Sequence, residues 1–177
     1  MSQDGAEWVA WFERQLTSTV EGAVWALQQI PPARHGQRPP APGYLGIWPP
    51  SRHLWHMAGY ERAIVLPSMQ QWLGGPLPDV AAWHDDDATW AQQPPDSALL
   101  SAALTAVRAE QIAMLPALRA VDWAERRPTV WGMQPLAMVV TKTYQHTLEH
   151  TDTLLRMGLW WDHRAAAEEA RAAGEGP

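Results

Sequence analysis

The chain has no cysteine. That excludes a disulfide framework, a thiolate nucleophile and a cysteine-ligated zinc finger, and it fits a reducing compartment. It also lacks an excess of basic charge: 13 Lys and Arg stand against 19 Asp and Glu, giving a formal net charge of -6 and a pI near 5.6. An acidic chain without a basic stripe has few cations to replace the counterions of a phosphate backbone, so nucleic acid is not an expected partner. No apolar run approaches the roughly 20 residues that span a bilayer, so no membrane partner is expected either. The start, MSQDGAE, carries neither a basic region nor an apolar signal core. The expectation is a soluble cytoplasmic protein. Phenylalanine is nearly absent, one residue against twelve tryptophans. Tryptophan is therefore expected to do the aromatic packing, the alternative being that some of these rings line a pocket for an aromatic or flat ligand.

At 177 residues and 19.8 kDa, one domain is expected over 1–177, with its core at about 5–160. Four helical patterns stand out. The first runs from about Asp4 to Ile30, with Trp8, Val9, Phe12, Leu16, Val20, Val24, Leu27 and Ile30 at three- and four-residue steps. Pro31 and Pro32 stop it. Residues 31–50 hold seven prolines and make a long connection. A second helix starts with Ser51 as N-cap and runs to about Leu73, with Pro67 expected to kink it.

Residues 76–95 form another connection, and its Asp85, Asp86 and Asp87 lack the alternating ligands and glycine of a calcium loop, so they are expected to be solvated. A third helix runs from Asp96 or Ser97 toward Leu118, disturbed at Pro116, and a fourth from Pro135 through Met157. A short polar helix is expected over Asp162–Arg171, with a frayed end from Gly174. No strand pattern stands out. The expected fold class is all-α, a four-helix bundle with long crossover connections.

The chemistry lies in the histidines. His146 and His150, four apart, are separated on a helix by about 40° in azimuth and about 6 Å in rise, so one ion can touch both rings. They fall on the apolar stripe of the fourth helix, where unpartnered imidazoles would be costly. A third ring from the second helix would complete a three-histidine face with open positions. His53 and His56 compete for that role; His56 lies nearer the apolar stripe of Leu54, Met57, Ala58 and Ile64, and His53 is left as a solvated or supporting residue. His35, His84 and His163 read as surface residues. The run His146–His150 also matches the H-x-x-E-H pattern of inverted zinc peptidases. Those enzymes need a glutamate ligand far downstream, and only 27 residues follow His150, with Glu168 and Glu169 in a polar tail. Glu149 is therefore left with an orienting, proton-moving or surface salt-bridge role.

With "HLWHMAGYE" on the second helix and "YQHTLEHTDTLLR" on the fourth, the chain resembles the DinB/YfiT-like superfamily over about residues 5–160. The resemblance implies an up-down-down-up bundle with a divalent ion, zinc or nickel, held by His56, His146 and His150. Relatives of this kind include thiol transferases that use low-molecular-weight thiols and mycothiol-dependent maleylpyruvate isomerases, and homodimers are common among them. No thiol-binding signature is visible in this chain.

Three functions follow as expectations. The ion could act as a Lewis acid in hydrolysis, or in thiol S-transfer to an electrophilic small molecule, in a pocket rimmed by Trp55 and other tryptophans. The bundle could instead bind a metal or small molecule without turnover, with His53 closing the shell. It could also be an interaction scaffold whose histidines are structural.

Overall fold

The structure is a computed structural model that describes residues 5–93 and 96–174. The expected helix start at Asp4, the end of the second connection at 94–95 and the frayed residues 175–177 lie outside the described residues. The chain is mostly helical. The long helices are α1 (Gly5–Gln28), α2 (Pro50–Tyr60), α3 (Ser97–Met114) and α4 (Leu136–Ala172), and a two-stranded hairpin precedes α4. Helix α1 packs along α4 and against α3, and α2 packs against both α3 and α4.

The apolar periodicity of α1 becomes a buried face of Val9, Phe12, Leu16, Val20, Ala23, Leu27 and Ile30. Asp96 caps α3 by accepting from the amides of Ala98 and Leu99 at 2.9 and 3.2 Å. By length and hydropathy alone, Ser97–Ala120 could cross a membrane. Its inward side, however, carries the fully buried Arg108 and Gln111 and packs on α1 and α2.

Several elements differ from the sequence expectation. Pro49, not Ser51, occupies the cap of α2; Ser51 lies inside the first turn and donates its hydroxyl to the His35 carbonyl at 2.6 Å. The kink expected at Pro67 appears just upstream as a widened π turn over Glu61–Val65, where the Leu66 amide reaches back to the Glu61 carbonyl. Pro67 has no N–H to continue the regular ladder, and the extra residue absorbs the misfit. A short helix, Leu66–Gln70, follows. Pro116 likewise opens a 3-10 stretch, Leu115–Ala120.

Residues 126–135, expected to lack strands, form the hairpin β1 (Arg126–Thr129) and β2 (Gly132–Pro135), with Arg127 opposite Gln134 and Thr129 opposite Gly132. Their side chains do not alternate in polarity, so the sequence shows no period of two. The polar tail is not a separate helix: α4 continues without a break to Ala172.

The core falls into two apolar clusters. One gathers Phe12, Leu16, Val65, Met69, Leu115 and Val139; the other gathers Val20, Leu27, Leu54, Met57, Leu104 and Leu154. Between them, on all four helices, lies a belt of buried polar residues: Thr19, Glu61, Arg108, Gln111, Thr143 and Thr147. The Arg108 guanidinium ties the belt together. It pairs with the Glu61 carboxylate through Nη2 and through Nε at 3.0 Å. Nη1 donates to the Leu16 carbonyl and to Thr19 Oγ1, both at 2.9 Å, and Nη2 also donates to Thr147 Oγ1 at 2.8 Å. Gln111 donates to Glu61 at 2.8 Å. The π turn thus begins at the residue that presents its carboxylate to the middle of the bundle.

Candidate metal centre

Helix α4 meets the belt with two faces. Thr147 looks inward at Arg108, while His146 and His150 look toward α2. His56 comes from the middle of α2. Its Nε2 lies 3.0 Å from His146 Nε2, which lies 3.1 Å from His150 Nε2. One ligand atom from each of the three rings falls within 4.8 Å of the others. An ion about 2.1 Å from each nitrogen of a tetrahedral site would see them about 3.4 Å apart, close to this spacing. The donor set is three neutral imidazoles, which suits a borderline divalent ion. The residues fit such a group without rearrangement of the backbone.

The outer nitrogens are treated unequally. His56 Nδ1 lies 2.6 Å from Asp85 Oδ2, and His150 Nδ1 lies 2.8 Å from His53 Nδ1. His146 Nδ1 is buried and has no hydrogen-bond partner among the described residues; the same holds for His53 Nε2, Asp85 Oδ1 and the Tyr60 hydroxyl. His53 therefore sits behind His150, on the side away from the three Nε2 atoms. It supports the cluster and does not join it.

Burial and the neighbouring imidazoles hold these rings neutral. Burial, then His150 and His56, lowers the His146 pKa to about 2; burial, then His56, lowers that of His150 to about 4. His53 is pushed well below the usual histidine value by burial and then by His150. His56 is lowered by burial, against the opposing pull of Asp85. Burial, reinforced by the Glu61 and Glu149 carboxylates, raises the Tyr60 phenol above its usual range, so it stays protonated.

Aromatic rings wall the cluster. Trp48 lies 4.9 Å from the His56 ring, 5.5 Å from His53 and 6.0 Å from His150, nearly parallel to the last. Gly46, at φ +86°, turns the chain just before it. Tyr60 packs on His146 at 4.4 Å and Trp83 on His56 at 5.6 Å. Two cavities flank the cluster. One, of about 280 Å³, is lined by Trp55, His56, Gly59, Trp83 and Thr89; the other, of about 320 Å³, by Ile47, Trp48, His53, Glu149 and His150. Trp55 thus lines a pocket beside His56. Glu149 is exposed and accepts from Gln145, one turn before it, with no salt bridge among the described residues.

Two readings of the connections are corrected. His35 is buried, not superficial: its ring bonds the Ile30 carbonyl at 2.8 Å and the Ser97 hydroxyl at 2.7 Å, and its own carbonyl accepts from Ser51. It fastens the proline-rich connection to α2 and α3. His84 and His163 are exposed. The aspartate run is not simply solvated. Asp85 turns inward to His56, Asp86 caps a short helix at Asp87–Ala91, and Asp87 pairs with the buried Arg52. Sequence offered no signal for the pairs His35–Ser97, His56–Asp85 and Arg52–Asp87, because each joins segments tens of residues apart.

Fold and site together define a helical protein with a three-histidine cluster between its second and last long helices, an arrangement that can hold a metal ion. The chain belongs to the DinB superfamily, whose sequence pattern matches residues 15–154. No curated protein and no solved structure gives a significant match.

Proposed function

We propose that the protein holds one divalent ion, zinc or nickel, on His56, His146 and His150 and acts on an electrophilic small molecule, by hydrolysis or by transfer of a low-molecular-weight thiol. The observation that carries this is the convergence of three Nε2 atoms whose rings are kept neutral by their surroundings. Up-down-down-up connectivity of the four long helices goes with the same proposal. A bound ion there supplies Lewis acidity. The chain's own residues do the rest. Trp48 and Trp83 pack against the His56 ring and hold it in place. Trp55 offers a flat wall in the cavity beside His56. Glu149, on the cavity beside His150, is the carboxylate placed to move a proton.

The two apolar clusters and the Arg108 belt join the helices independently of the histidines, which favours a working ion over one that merely pins α2 to α4. Elemental analysis of untagged protein tests the proposal: about one divalent ion per chain is expected, and His150→Ala should lose it. Unchanged metal content in that variant would overturn the ligand assignment. A screen of thiols with electrophiles, on chelated and reconstituted protein, then separates hydrolysis, thiol transfer and binding without turnover.

A further inference from the structure

We propose that Asp85 is a positioning residue that sets the tautomer of His56, fixing its Nε2 lone pair toward His146 and His150; the inference rests on the metal reading above and extends it to the connection before α3. Among three consecutive aspartates, each has its own task. Asp86 Oδ1 accepts from the Thr89 amide at 2.7 Å and caps the short helix at Asp87–Ala91. Asp87 pairs with Arg52, whose guanidinium lies 4.7 Å over the Trp48 ring. Only Asp85 turns inward: its side chain is 18% exposed, against 73% for Asp87, and Oδ2 lies 2.6 Å from His56 Nδ1.

A carboxylate oxygen accepts, so Nδ1 carries the hydrogen and donates it. The lone pair is then left on Nε2, the nitrogen 3.0 Å from His146. A carboxylate behind a ligating imidazole also makes that ring a better electron donor. Neither of the other two rings has such support: His150 backs onto the His53 imidazole and His146 Nδ1 has no partner among the described residues. His56 is therefore the one ring of the three whose orientation and tautomer are set by a charged group.

The connection that carries Asp85 is docked to make this contact. Trp83 packs close against α2 because residue 59 is glycine; a Cβ there would stand 3.0 Å from Trp83 Nε1. With Asp87 on Arg52 as a second anchor, the carboxylate is delivered from a braced segment.

The experiment compares Asp85→Asn with Asp87→Asn, which loosens the same segment without touching an imidazole. Zinc(II) affinity is measured by competition with a chromophoric chelator, and the tautomer of His56 is read in metal-free protein by long-range nitrogen–proton NMR of the imidazole. Wild type should show the hydrogen on Nδ1. Asp85→Asn should bind zinc roughly 10- to 100-fold more weakly at unchanged stoichiometry, with a mixed tautomer, while Asp87→Asn keeps the wild-type tautomer and affinity. Equal affinity in Asp85→Asn, equal weakening in both variants, or a hydrogen on Nε2 in wild type would each overturn the proposal. If wild type takes up no zinc yet carries the hydrogen on Nδ1 in an Asp85-dependent way, the metal reading fails and the role of Asp85 in setting the tautomer stands.

Discussion

Two polar clusters share the middle of this protein, back to back on α4, and they are built on opposite rules. Around Arg108, five donor contacts from one guanidinium meet a carboxylate, a carbonyl and two hydroxyls, and the helices are joined through it. Around His56, His146 and His150, three imidazole nitrogens face one another, and several of the buried atoms behind them have no partner among the described residues. In the first cluster every nitrogen of the guanidinium has a partner, and Gln111 Oε1 alone is left without one among the described residues. The second is an arrangement that can hold an ion bringing its own charge. The contrast separates structural burial of polar groups from functional burial within a single belt.

The largest expected effect is on the guanidinium side. Arg108→Ala leaves the Glu61 carboxylate buried without its partner and should lower stability by about 3–5 kcal/mol in urea unfolding. Replacing both residues together, Glu61→Met with Arg108→Met, should cost clearly less than the sum of the single changes. Additive losses would show that the pair does not act as a unit.

The histidine cluster should behave differently. In metal-free protein, His146→Leu should change stability by no more than about 1 kcal/mol, because its buried Nδ1 has no hydrogen bond and its Nε2 meets only the imidazoles of His56 and His150. The same variant should abolish metal retention. Chelating the wild type should leave it folded, with only the melting-point shift expected from ligand linkage. Loss of cooperative unfolding on chelation would move the cluster into the structural class.

Acid gives a third, smaller contrast. The unfolded chain takes up protons on its histidines near pH 6.5, whereas folded His150 does so only near about 4 and His146 near about 2. Between those values the unfolded state binds more protons, so stability rises with pH there. The contribution is fully present above pH 6.5 and is lost as pH falls toward 4 and below. The urea midpoint of metal-free protein should therefore be lower at pH 5 than at pH 7.5, and His146→Leu should flatten part of that slope.

The smallest effect sharpens the comparison from outside. Arg62 and Glu110 join the start of the π turn to α3 by an ion pair at 2.8 Å, like Glu61 and Arg108, but their side chains are 56% and 49% exposed. Arg62→Ala should cost less than about 1 kcal/mol. Residues 61 and 62 would then differ severalfold for one chemical reason, the solvent around them.

The histidines were easier to read than the network beside them. Helical spacing alone put His146 and His150 on one face, and the apolar residues near His56 aimed it inward. Arg108 and Glu61 left a fainter trace. Each falls four residues after a core position, Leu104 and Met57, so a charge on an apolar stripe was visible on both helices. Opposite signs at inward positions were the available clue. Asp85 and His35 left no local trace, because their partners His56 and Ser97 come from distant segments; the hairpin left none because its side chains do not alternate in polarity.

The widened turn at Glu61–Val65 also governs which sequence changes this helix can absorb. Deleting one of its five residues would remove the extra one and let the helix run on regularly, four residues covering about the angle that five cover in the widened turn, so Met69 would keep its bearing on the apolar cluster. His53 and His56 precede the turn and would keep their bearing. The lesion would therefore fall on the turn itself and on the carboxylate it presents to Arg108, with the imidazole end held constant.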